Sequence, residues 1–191
     1  MNTKTKELTL IGLMAAVTCI AGPLSLPLPF SPVPISLTNL AVYFSVYILG
    51  MKQGTVSYLV YLLIGLVGVP VFSAFTGGPA KLFGPTGGYL IGFLFMALIS
   101  GYCVDRWNGR IAASFIGMIS GTVVCYFLGT TWLAFQMSLG SNQTFVTMFP
   151  AAFAAGVLPF IVGDLIKIIL SLLIGSQVRV RVRRIALNES I

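Results

Sequence analysis

Phe75-Thr76-Gly77-Gly78-Pro79-Ala80-Lys81-Leu82-Phe83-Gly84-Pro85-Thr86-Gly87-Gly88-Tyr89-Leu90-Ile91-Gly92-Phe93 sets six glycines and two prolines between two long apolar runs. Glycine makes positive φ accessible and lets another group approach the backbone, while proline fixes φ, so the mixture specifies a bent path rather than a slack one. Thr86-Gly87-Gly88 leads directly into an apolar helical run, where free backbone N–H groups offer a place for a polar or anionic ligand. By loop chemistry alone the stretch is equally a tight connection between two spans. Its place in the chain bears on that choice.

Of the 191 residues, 57% are hydrophobic and only 8% charged, against about a quarter charged in soluble domains. This composition is that of an integral membrane protein. The apolar runs are long and seldom alternate, which favours helices over an outer-membrane barrel. Histidine is absent, which removes the commonest metal ligand and general base. Cys19, Cys103 and Cys125 lie far apart in apolar runs and read as small buried residues rather than a disulfide or metal set. The acidic residues are scattered, not clustered as an acid–base or metal centre requires. No catalytic residue, metal or cofactor is expected, and no G-x-x-x-x-G-K-[ST] motif is present to cradle a nucleotide.

The reading is an all-α integral membrane protein, one domain over 1–191, with six transmembrane helices at about 8–22, 37–50, 55–69, 87–104, 111–129 and 151–175. The first follows Lys4 and Lys6 without a small-residue cleavage site, and reads as a membrane helix rather than a removable signal. Gly12 and Ala16 stand one turn apart, a small-xxx-small pattern that admits another helix, either within the bundle or from a separate subunit. Residues 23–36, PLSLPLPFSPVPIS, hold five prolines and no charge. That excludes helix and is too apolar for a solvated linker, so a capping loop is expected. Lys52–Gly54 reads as a short turn, and 130–150 as a polar-aromatic loop with a short interfacial helix near Trp132.

Orientation follows from charge. Lys4, Lys6, Lys52, Arg106, Arg110, Arg179, Arg181, Arg183 and Arg184 fall on one side of this topology, and only Lys81 on the other. The positive-inside rule then puts both termini in the cytoplasm. The basic tail reads as an orientation signal that meets lipid headgroups, not as a nucleic-acid surface. The irregular segments 23–36, 70–86 and 130–150 then share the outer side, as lids over a ligand pocket would.

Asp164 and Lys167 lie well inside the last apolar run. Ionisable residues at that depth cost on the order of 2.5 to 3.5 kcal/mol each and normally face a bundle interior. Their i,i+3 spacing lets them pair. They are read either as a structural ion pair or as a polar ligand site, in which the carboxylate accepts ligand N–H groups and the ammonium donates to ligand oxygen. Asn39 belongs at the same level.

The stretch GGPAKLFGPTGGYLIGF at 77–93 resembles the signature of the BioY family, the biotin-binding membrane subunits of energy-coupling-factor (ECF) vitamin transporters. The likeness extends to LPLPFSPVPISLTNLAVY, LLIGLVGVPVF, GDLIK and the small-residue first helix. It implies a six-helix S component of a prokaryotic plasma membrane, binding biotin from outside and joining a transmembrane T subunit and two ATPases. In that family the first helix usually carries alanine four residues before another alanine; Gly12 replaces the first here. The expected site puts Asp164 and Lys167 at a polar end of biotin, with Asn39, Gly84, Thr86, Gly87, Gly88 and Tyr89 around it. Phe75, Tyr89 and Trp132 supply apolar walls, and Gly12 and Ala16 contact the T subunit. Rival readings are an S component for another small vitamin, a self-sufficient solute carrier, and an intramembrane enzyme. The carrier reading lacks a matching pair of broken segments in two halves, and the enzyme reading lacks histidine and an acidic cluster.

Overall fold

The computed structural model describes residues 3–141 and 143–188. Runs that cross hydrocarbon must satisfy their backbone N–H and C=O groups internally, which makes them helices. The helices among the described residues are α1 (Thr3–Ala21), α2 (Thr38–Leu49), α3 (Met51–Leu66), the short α4 (Pro79–Phe83), α5 (Gly87–Arg106), α6 (Ile111–Ser141), α7 (Phe145–Gly156) and α8 (Ile161–Asn188). Gly87–Arg106, Ile111–Ser141 and Ile161–Val182 are long and apolar enough to cross a membrane. The 12 residues of α2 reach only about 18 Å, short of a core of roughly 30 Å.

Four expectations are corrected. Residues 23–36 are not an irregular cap but an antiparallel hairpin of β1 (Ser25–Leu28) and β2 (Ser31–Ser36), paired Ser25 with Ser36 and Leu26 with Ile35. The fold is therefore mostly helical rather than all-α. A two-stranded ribbon has a free edge on each strand, and a proline that cannot donate is tolerated there. Lys52–Gly54 is no turn: α3 begins at Met51, and the break is Gly50 alone, at φ 88°. A side chain there would be strained in φ and would meet the Asp105 carboxylate at 2.5 Å. That carboxylate accepts Met51 N–H at 2.8 Å, satisfying a donor at the start of α3.

The polar-aromatic segment after residue 129 continues α6 to Ser141, and within it the Thr131 hydroxyl donates back to Phe127 O. Finally, no helix runs unbroken over 151–175. Residues 157–160, with Pro159 among them, separate α7 from α8, and Phe160 O accepts Asp164 N–H as α8 starts. This break puts Asp164 in the first turn of α8.

The core is aromatic and central. Tyr43 and Tyr47 of α2, Tyr58 and Tyr61 of α3, Phe72, Met96 of α5, and Met118 and Leu133 of α6 are fully buried. Short α2 sits inside the bundle against α8, α3, α5 and α1, while α5 and α6 make the most extensive helix contact. At the end opposite the hairpin, Arg179 of α8 is buried, donates to Tyr47 O and lies over the Tyr47 ring.

Candidate binding site

Burying a charge inside a membrane bundle is tolerable only when partners surround it, and the first two turns of α8 meet that condition. Asp164 and Lys167 are 6% and 8% exposed. Lys167 Nζ donates to Asp164 Oδ1 at 3.1 Å, to Asn39 Oδ1 at 3.0 Å and to Ser36 O at 2.8 Å. These acceptors occupy all the donors an ammonium has. Asn39 Nδ2 donates to Asp164 Oδ1 at 2.7 Å, and Tyr126 OH to Asp164 Oδ2 at 2.7 Å. The amide of Asn39 is thus oriented by charge: nitrogen toward carboxylate, oxygen toward ammonium.

The consequence for a ligand can be counted. Asp164 uses three of its roughly four acceptor positions on protein donors, leaving about one for an incoming N–H. Asn39 Nδ2 keeps its second N–H. Lys167 meets a ligand by exchanging one of its present acceptors, and the one it holds outside the α2–α8 pair is Ser36 O at the end of β2. Lys167 therefore fastens the hairpin to the helix carrying the charges.

This cluster lines a cavity of about 60 Å³ between β2, α2, α3, α5, α6 and α8. Val33, Pro34 and Ser36 roof it, and Tyr61, Phe93, Met96 and Phe160 supply apolar wall. The roof is pinned by Ser31 Oγ to Ala155 O at 2.8 Å and by Ala74 N to Ser25 Oγ at 2.9 Å.

Of the residues singled out from sequence, Asn39, Thr86, Tyr89, Asp164 and Lys167 line this one cavity. Phe75, Gly84, Gly87, Gly88 and Trp132 do not. Phe75 is 69% exposed at φ 55° on the roof's outer side. Trp132 Nε1 donates to Gly84 O at 2.9 Å, and Gln136 Nε2 to Phe83 O, so α6 clamps the turn between α4 and α5 from behind. A Cβ on Gly88 would come within 2.3 Å of Trp132 Cβ, and one on Gly87 within 1.6 Å of Leu82 O. These glycines serve close packing, which positions Thr86 and Tyr89; the Tyr89 hydroxyl in turn donates to Gly156 O at 2.9 Å. Gly12 and Ala16 are far from the site, on the exposed face of α1.

The model of the BioY family matches residues 1–184. The chain belongs to the BioY family. Among BioY relatives, a probable biotin transporter of Pyrococcus horikoshii is 36% identical over 176 residues, 92% of this chain and 98% of that protein. The biotin transporter BioY of Rhizobium etli is 36% identical over 185 residues, 92% of this chain and 94% of that one. A crystal structure of the S-component for biotin from an ECF-type ABC transporter superposes with a TM-score of 0.79 at 33% identity, covering 94% of both chains.

Sequence reasoning missed Tyr126, Ser36 and Thr122. Thr122 and Tyr126 stand four apart in the apolar run of α6, so both fall on one helix face. That spacing was the available signal. Ser36 carried none, since it contributes a backbone carbonyl.

Proposed function

We propose that this BioY chain is the biotin-binding S component of an ECF transporter, a transporter subunit and not an enzyme. The observation that carries the proposal is the buried Asn39–Asp164–Lys167 cluster on the cavity wall of a chain from this family. Biotin's ureido ring offers two N–H donors and one carbonyl. A site with one acceptor position left on Asp164 and a spare amide donor on Asn39 suits that neutral, mixed group better than it suits a second carboxylate beside Asp164.

A cavity of about 60 Å³ holds a few waters rather than a vitamin, so entry of biotin displaces a wall. The hairpin roofs the cavity, and its Ser36 carbonyl shares Lys167 with the site. The reading has six spans, α7 and α8 together making the last crossing. Lys4, Lys6, Lys52, Arg106, Arg110, Arg179 and Arg181 then lie toward the cytoplasm and the hairpin outward, in a prokaryotic plasma membrane. Without a nucleotide motif of its own, the chain draws energy from a T subunit and two ATPases, and the exposed Gly12–Ala16 face of α1 is the contact proposed for the T subunit.

Calorimetric titration of the purified chain in detergent tests the assignment. Saturable one-to-one binding of biotin, unmatched by thiamine or riboflavin, is expected. Equal affinity for another vitamin, or none for biotin, overturns it.

A further inference from the structure

A second, larger space of about 530 Å³ lies on the other side of the binding cavity, between α6, α7 and α8. Val123, Phe127, Phe153, Ile161 and Leu165 line it and are all exposed on the bundle's apolar outer surface. It is a groove open to the membrane. Thr122, Tyr126 and Asp164 line both spaces, so these three side chains are the partition between them.

The members of that partition are held differently. Thr122 is locked on both sides, to Tyr43 OH at 2.5 Å and Met118 O at 2.7 Å. Asp164 is held through Oδ1 by Asn39 and Lys167. Tyr126, half-buried, lines both spaces and is tied by its hydroxyl to Asp164 Oδ2. A carboxylate facing hydrocarbon is costly, and Tyr126 lies beside Asp164 in the partition with its hydroxyl on the second carboxylate oxygen.

We propose that Tyr126 is a positioning residue of this site: its hydroxyl fixes the second oxygen of Asp164 toward the ligand cavity, and its ring seals that cavity from the membrane-facing groove. The proposal rests on the biotin-binding reading for its effect on affinity and on geometry alone for the seal. The two tasks separate chemically, since phenylalanine keeps the ring and alanine keeps neither. A tyrosine that only stabilised the fold would move both readouts together.

Cys125 supplies the reporter, because it lines the cavity and is buried. In a Cys19→Ser, Cys103→Ser parent reconstituted in liposomes, labelling by membrane-permeant N-ethylmaleimide is followed by mass spectrometry. Tyr126→Phe is expected to label as slowly as the parent, yet to bind biotin about tenfold more weakly, the usual effect of losing a hydrogen bond to a charged group. Tyr126→Ala, or Tyr126→Leu should the alanine variant not fold, is expected to label Cys125 about tenfold faster or more, as a buried group made accessible does. In ligand-free protein, Tyr126→Phe should also shift the Asp164 carboxylate stretch in the infrared. Unchanged affinity and an unchanged carboxylate band overturn the positioning role; undiminished protection of Cys125 in the truncated variant overturns the seal. A parent that binds no biotin sinks the proposed function instead, while labelling and the carboxylate band still decide both halves here.

Discussion

Along the contact of α5 with α6 the glycines are filled by the facing helix, whereas on the outer face of α1 they face nothing. A Cβ on Gly121 would lie 2.9 Å from Met96 O, and one on Gly129 would lie 2.3 Å from Tyr89 Cδ1. A Cβ on Gly12 would meet no atom within 4 Å, and Ala16 beside it is exposed, although Ala15 and Thr18 on the other side of α1 are buried. Lipid is as apolar as a side chain, so helices in a membrane associate through close packing of small residues. The same small-xxx-small spacing is thus satisfied inside the chain in one place and left open in the other. An open surface of that kind suits a separate subunit.

The contrast can be broken or sharpened by substitution. The largest effect is expected for Gly121→Leu, which overpacks the α5–α6 seam at a cost of about 3 kcal/mol or more. Size-exclusion chromatography in detergent should show loss of the monodisperse protein; a sharp peak with parental biotin affinity would remove the seam from the core. Next comes Asp164→Asn, which keeps the shape but leaves Lys167 as an uncompensated buried charge, worth roughly 3 kcal/mol or more. Titration calorimetry should then read biotin binding weakened about 100-fold, and an unchanged constant would divorce the cluster from the ligand.

Gly12→Leu tests the other face. The thermal midpoint should not fall below the parent's, since leucine also favours helix over glycine, and biotin affinity should match, while uptake by the assembled transporter falls about tenfold or more through loss of close helix approach. Parental uptake would mean that this face meets only lipid. The smallest change is expected for Gly12→Ala, which adds a methyl group in open space and improves helix propensity by about 1 kcal/mol. Its midpoint should rise by about 2–4 °C with uptake intact. A fall in midpoint would show that Gly12 is packed after all.

Much of this was legible before any coordinates. Asp164 and Lys167 announce themselves because charge in an apolar run has to be accounted for, and Asn39 does so by lying where the second run begins. Phe75, Trp132 and the glycines at 84, 87 and 88 do not line the cavity. A glycine tells that something comes close to the backbone but not what, and here the visitor at Gly88 is Trp132 rather than a ligand. Tyr126 was hidden because a tyrosine in an apolar helix is ordinarily wall.

The amino-acid order alone determined a helical membrane protein with one buried acid–base pair and bent glycine- and proline-shaped segments, because insertion into hydrocarbon penalises each residue by its own chemistry. Only the tertiary structure decided that 23–36 pairs as a hairpin, that α8 begins three residues before Asp164, and that Tyr126 borders two spaces. Those outcomes depend on partners distant in the chain, such as Ser31 with Ala155 and Asn39 with Asp164, and no local pattern encodes who meets whom.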